Sequence, residues 1–236
     1  MTMNESRAGA AQGGLVGRII RMITATREEW GRIEPEPATV PGLITGWTVP
    51  LALIPALTAI VTLGVIGSGV PGLAVVKLPL LNTVVMAGVQ FALLVAMTWV
   101  MGQVINALAP NFGGTQNPVQ AMKVAAYSGT AACAFSVLQI VPFLGIVAIV
   151  GLVLSVLALH AGLPVLMKSP PERTLGFTAS VVGIMFVLWL VAWAVSSAVT
   201  GPLMMSHMMQ RPGVSINGGP GGAQVKIGGT TIDTGA

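Results

Sequence analysis

Five stretches of this chain, Leu43–Ile66, Thr83–Leu108, Val124–Val141, Phe143–Leu163 and Leu175–Val199, contain no Asp, Glu, Lys or Arg. Each meets or approaches the roughly 20 apolar residues needed to cross a hydrocarbon core about 30 Å thick. They predict an all-α, polytopic membrane bundle of five transmembrane helices. The third and fourth runs are nearly continuous, interrupted at Pro142 and Gly145. As one helix of about forty residues they would overshoot the bilayer by about 30 Å. A tight hairpin near Pro142 resolves this; without it the chain would have four spans.

The same runs remove much chemistry. The one Asp of the chain, Asp233, lies in the tail, and every Glu lies in the N-terminal segment or at Glu172. No carboxylate pair faces another within the membrane, so an intramembrane aspartyl protease or carboxylate-coupled transport lacks its machinery. Charged residues make up 8% of the chain, against roughly 25% in soluble proteins. The net charge of +4 is small and the cations gather before the first span. Nucleic acid is therefore not an expected partner, whereas anionic lipid headgroups are. Cys133, alone in its run, reads as a small apolar packing residue. No apolar core beside an Ala-x-Ala-like site occurs in the first 40 residues, so the first span is expected to direct insertion.

Three parts follow: a cytoplasmic segment, 1–40; the membrane domain, 41–203; and a Met-rich then Gly-rich tail, 204–236, read as disordered. Orientation follows from the flanking cations. With the N-terminus inside, eight lie inside (Arg7, Arg18, Arg21, Arg27, Arg32, Lys123, Lys168, Arg173) and three outside (Lys77, Arg211, Lys226). The N-terminus is expected in the cytoplasm and the C-terminus outside.

Before the first span, Leu15, Ile19, Met22, Ile23, Thr26, Trp30 and Ile33 recur at helical spacing, flanked by Arg18, Arg21, Arg27, Glu28 and Arg32. This predicts an amphipathic helix in the headgroup plane, with Arg18, Arg21 and Trp30 as interfacial anchors; docking to a partner is the alternative. Glu34-Pro35-Glu36-Pro37 ends it. Pro50 and Pro55 predict an irregular first span.

Within the spans, Gln90 and Gln139 reach similar depth if spans two and three form an antiparallel hairpin, which would let their amides bond. Gln103 and Asn106 share a face near the cytoplasmic end, as helix contacts or as a pore lining. Small residues at every fourth position (Gly88–Ala92–Ala96, Ser128–Ala132–Ser136, Gly151–Ser155, Ala194–Ala198) suit close helix packing or contact with another copy. Ser128 or Ser136 with His160 would make a hydrolase only if nucleophile, base and oxyanion donors converged. Met204, His207 and Met208 share a helical face; thioether and imidazole suit copper(I), while interface filling is the plainer use. No cofactor or metal is expected, and no catalytic residue.

Several strings resemble bacterial members of the Yip (Ypt-interacting protein) domain family over about residues 27–200. They are Trp30-Gly31-Arg32-Ile33-Glu34, the run Asn117-Pro118-Val119-Gln120-Ala121-Met122-Lys123-Val124-Ala125-Ala126-Tyr127-Ser128, and Val141-Pro142-Phe143-Leu144-Gly145. Leu159-His160-Ala161-Gly162-Leu163-Pro164-Val165-Leu166-Met167-Lys168 and Pro171-Glu172-Arg173-Thr174-Leu175-Gly176-Phe177-Thr178 complete the pattern. The resemblance implies five spans, a cytoplasmic N-terminus, residence in the bacterial inner membrane and no catalytic residues. Eukaryotic relatives are tied to Rab-type GTPases, a role that does not carry over to so short an N-terminal segment. The expectation is a non-enzymatic protein that organises the membrane or scaffolds partners, a homo-oligomer or other membrane proteins. A small transporter or channel for a neutral or lipidic solute is the alternative.

Overall fold

The computed structural model describes residues 14–70, 74–141, 144–209, 214–219, 222–227 and 230–233, without the side chains of residues 68–76, 199–200 and 202–233. Its contacts divide the chain into two units, Met1–Ala192 and Trp193–Ala236.

The first unit begins with two short helices, α1 (Leu15–Thr24) and α2 (Thr26–Ile33), broken at Ala25. Span one, α3, covers Val40–Ile66. It starts where the Thr39 hydroxyl accepts the Gly42 N–H, a side-chain cap on an orphan donor. Its middle, Val49–Ala59, is α-helical, but Ile44–Thr48 and Ile60–Ile66 are wound as π-helix. Pro50 and Pro55 withdraw two amides from the ladder, and the widened turns accommodate the loss. The expected irregularity is therefore present. Gly67, at φ 92°, ends the span in a conformation that favours glycine. A two-stranded antiparallel hairpin follows, β1 (Ser68–Val70) with β2 (Ala74–Val76).

Span two is α4, Leu80–Leu108, extended by a 3-10 turn over Ala109–Phe112. Gly113, at φ 74°, reverses the chain toward span three. Asn117 caps that span by accepting the N–H groups of Val119 and Gln120, with Pro118 at the first turn. Span three then breaks at Gly129 into α5 (Pro118–Ser128) and α6 (Thr130–Phe135), ending as 3-10 helix through Ile140. Ser128, Thr130 and Ser136 all donate to carbonyls three residues earlier, competing with the helical ladder. Span four is a 3-10 turn, Leu144–Val147, leading into α7, Ala148–Leu166. Pro142 and Phe143 lie outside the described residues; the spans on either side are separate, giving five helices long and apolar enough to cross a membrane. Span five lies in α8, Pro171–Met209.

Span three is the core. It packs against α4 through α5, against α7 through both halves, and against α3 through α6. Gly151 makes one contact close: a Cβ there would lie 2.6 Å from the Phe135 Cβ and 2.9 Å from the Ala131 carbonyl oxygen. Four residues on, Ser155 Oγ accepts the Ala132 N–H at 3.0 Å. The Gly151–Ser155 ridge thus serves packing, as its spacing predicts. Gly88, by contrast, faces open space.

The second unit holds three short strands among its described residues. Val214–Gly219, Gly222–Ile227 and Thr230–Asp233 form a three-stranded antiparallel sheet, β3-β4-β5. Val225 pairs with Ile216 on one side and Ile232 on the other.

Candidate functional site

The richest polar cluster in the described residues lies where the N-terminal segment meets spans three and four. The prolines at 35 and 37 have no N–H, and the chain reversal there turns carbonyls toward α5. Lys123, 2% exposed, donates its Nζ to the carbonyls of Ile33 (2.8 Å), Glu34 (3.0 Å) and Glu36 (2.6 Å). An ammonium has three donors, so its capacity is filled and the burial of its charge is compensated. One turn earlier, Gln120 Nε2 donates to the Glu34 carbonyl at 3.1 Å. One turn later, the Tyr127 hydroxyl accepts from Arg18 Nη1 at 3.1 Å. Gln120, Lys123 and Tyr127 thus form one face of α5 that grips the incoming chain.

Trp30 fixes the other side. It is fully buried and donates Nε1–H to the Ala158 carbonyl at 3.0 Å. The indole lies on α7 at Gly162, where a Cβ would stand 2.7 Å from the Trp30 Cε2. Tyr127 meets the indole edge-on at 6.3 Å, and Tyr127 in turn meets Trp47 at a tilt at 4.7 Å. Trp30 is therefore not the interfacial anchor expected of it. The bare surface at Gly162 admits the ring, and a backbone acceptor takes its N–H.

Glu29, 1% exposed, gathers the arginines: Arg21 Nε stands at 3.0 Å, Arg18 Nε at 3.3 Å and Arg32 Nη1 at 3.5 Å. Arg18 also pairs with Glu36, and Lys168 with Glu34. Burial opposes the charge on Arg18, but the hydrogen bond to Glu36 and the fields of Tyr127, Glu36 and Glu29 outweigh it and leave its pKa raised. Arg18 and Arg21 are thus tied to carboxylates of their own chain rather than directed outward as anchors. The break at Ala25 folds α2 back so that Glu29 reaches both. The apolar stripe is divided: Met22 is buried and Ile19 packs on the core, while Leu15, Val16 and Ile20 are exposed. α1 lies against α6, beyond the Gly129 break.

The amides of the spans do not converge. Gln90, Gln103 and Gln139 are exposed, and Asn106 is partly buried with its Oδ1 lacking a partner among the described residues. No hydrogen bond joins Gln90 to Gln139 among the described residues. The break at Gly129 turns residues 136–140 against α3 rather than α4, which removes the straight hairpin that pairing needed. Ser128 and Ser136 give their hydroxyl hydrogens to carbonyls of their own helix. Thr178 donates to Thr174, so His160 Nδ1 carries the proton of the 3.0 Å bond to Thr178 Oγ1. The serines and His160 are therefore each engaged elsewhere. The side chains of Met204, His207 and Met208 lie outside those described.

Lys123 carried no special weight in the sequence, where it counted as one flanking cation. A signal was present: Gln120, Lys123 and Tyr127 at i, i+3 and i+7 put three polar groups on one face of an apolar helix.

Five spanning helices and a buried N-terminal clasp define a multi-pass membrane protein. The Yip1 domain model matches residues 20–193, so the chain belongs to the Yip1 domain family. No curated protein and no solved structure matches it.

Proposed function

We propose that this is a non-enzymatic organiser of the bacterial inner membrane, which holds a rigid N-terminal strap on the cytoplasmic face to recruit or position protein partners. The clasp is the observation that carries this reading. Lys123, Trp30 and Gly162 lock α2 to the bundle, while Arg27, Glu28, Gly31 and Arg32 on its other face stay exposed. A rigid polar face binds with less ordering cost than a loose segment would. Arg18, Arg21, Arg32, Lys123 and Lys168 meet at one end of the bundle through Glu29, Glu34 and Glu36, which supports a cytoplasmic N-terminus. An anionic headgroup layer is the expected neighbour of the exposed arginines.

Solute transport has less support, because Gln90, Gln103, Asn106 and Gln139 do not gather into one lining. A photoreactive residue placed at Arg27 in cells is expected to crosslink a discrete protein. Labelling of lipid alone would overturn the recruiting role.

A further inference from the structure

Helix α1 is turned the wrong way for a helix in water. Its two charges, Arg18 and Arg21, bring their guanidinium groups inward to the Glu29 carboxylate, at 3.3 and 3.0 Å, and Glu29 is 1% exposed. The outward face carries Val16, 67% exposed, Ile20, 54% exposed, and Leu15, 36% exposed. Thr24 is exposed as well, but its hydroxyl donates to the Ile20 carbonyl at 2.9 Å and asks nothing of the surroundings. Water favours the opposite arrangement, with charges outward and apolar groups covered. Hydrocarbon favours the one observed, because ionisable groups there face the interior and pair with one another.

The place of α1 along span three sets its depth. It packs against α6, Thr130–Phe135, and Arg18 Nη1 donates to the Tyr127 hydroxyl at 3.1 Å. α6 in turn packs against Val49–Ala59, the middle of span one. Span three runs from Pro118 to Ile140, about 25 Å of α-helix and about 10 Å of 3-10 helix. It therefore exceeds a hydrocarbon core by only about 5 Å. With its far end at the edge of the core and all of that surplus on the side where it begins, Tyr127 still lies about 8 Å inside the core and Thr130 about 12 Å. A helix laid against this stretch is below the headgroups, and what surrounds it there is acyl chain.

We propose that α1 is embedded in the leaflet that span three enters first, with Leu15, Val16 and Ile20 against the acyl chains and with Arg18 and Arg21 held inward by Glu29. The lipid contact is with the tails rather than the phosphates. A helix floating in the headgroup plane would turn its arginines to the phosphates, whereas here Glu29 occupies them and leaves the apolar face free to sink. This insertion does not depend on the recruiting role of the strap, because the exposed polar face belongs to α2, across the break at Ala25.

The test uses the full-length chain with Cys133→Ala as background, so that an introduced cysteine is alone. Val16→Cys, Ile20→Cys and, for comparison, Arg27→Cys each receive a polarity-sensitive fluorophore in liposomes of phosphatidylethanolamine and phosphatidylglycerol. All three positions are exposed, so the label itself does not disturb the packing. At 16 and 20 the emission should be blue-shifted, quenched by lipids carrying a nitroxide on the acyl chain, and untouched by iodide supplied on both sides of the bilayer. At 27 iodide should quench and the chain nitroxide should not. Quenching by iodide at 16 and 20 would place the face in water and overturn the insertion. Quenching by neither agent would show that protein covers it, and stronger quenching by a headgroup nitroxide than by a chain nitroxide would leave α1 in the headgroup plane; either result overturns it too.

Discussion

Spans two and three are neighbours, yet they obey opposite rules. Span three is the least apolar of the five and carries Lys123, but 61% of its most apolar window is buried inside the protein; for span two the share is 6%. In water the order would be reversed. In a bilayer the solvent is hydrocarbon, so there is no hydrophobic gain in moving an apolar helix inward, and polar groups are driven to the centre of the bundle to find partners. Span three, with Gln120, Lys123, Tyr127 and its hydroxyl residues, is central because lipid is the worst place for it. Span two can face lipid because nearly all of it is apolar.

The comparison can be broken by mutation. Trp30→Ala should have the largest effect, about 3–5 kcal/mol, because it empties a fully buried site and strands the Ala158 carbonyl. Trypsin cleavage at Arg27 and Arg32 reports it directly: release of the strap should speed cutting while the spans stay protected. An unchanged cleavage rate would show that the indole is not what holds the strap.

Lys123→Met should follow, at about 2–4 kcal/mol, because three carbonyls lose a charged donor while the volume is nearly kept. Thermal unfolding in mild detergent measures this. A variant as stable as the parent would mean the three bonds contribute nothing net, as buried ionic groups sometimes do.

A matched pair of glycine substitutions sharpens the contrast further. Gly151→Ala puts a Cβ against Phe135 and the Ala131 carbonyl, and overpacking of that kind costs about 1–3 kcal/mol. Gly88→Ala on span two meets nothing, so its effect should stay within about 0.5 kcal/mol. Equal losses at the two positions in the same melting experiment would falsify the division into a packed and a lipid-facing span.

Much of the fold was legible in the chain. Charge-free runs of spanning length marked all five helices, because hydrocarbon tolerates few exceptions. Pro50 and Pro55 announced the irregular first span, since a proline cannot donate to the ladder wherever it sits. The Gly151–Ser155 ridge announced close packing, because only small residues permit it. Trp30 shows where such reading stops. A tryptophan beside arginines before a span fits the interface equally well as a local pattern. Its burial depends on Gly162, 132 residues away, whose missing side chain cannot be matched to an indole without the fold.

The sequence by itself determined that this chain lives in a bilayer, crosses it five times and belongs to the Yip1 domain family. Those properties depend on composition and order along the chain, which lipid reads span by span. Tertiary structure alone decided that residues 14–39 are clasped rather than adrift, that Lys123 is a structural donor, and that Gln90 finds no partner among the described residues. Each of these depends on which helix faces lie together, and in a medium as apolar as the helices themselves, polar contacts and bare glycines between distant residues set that arrangement.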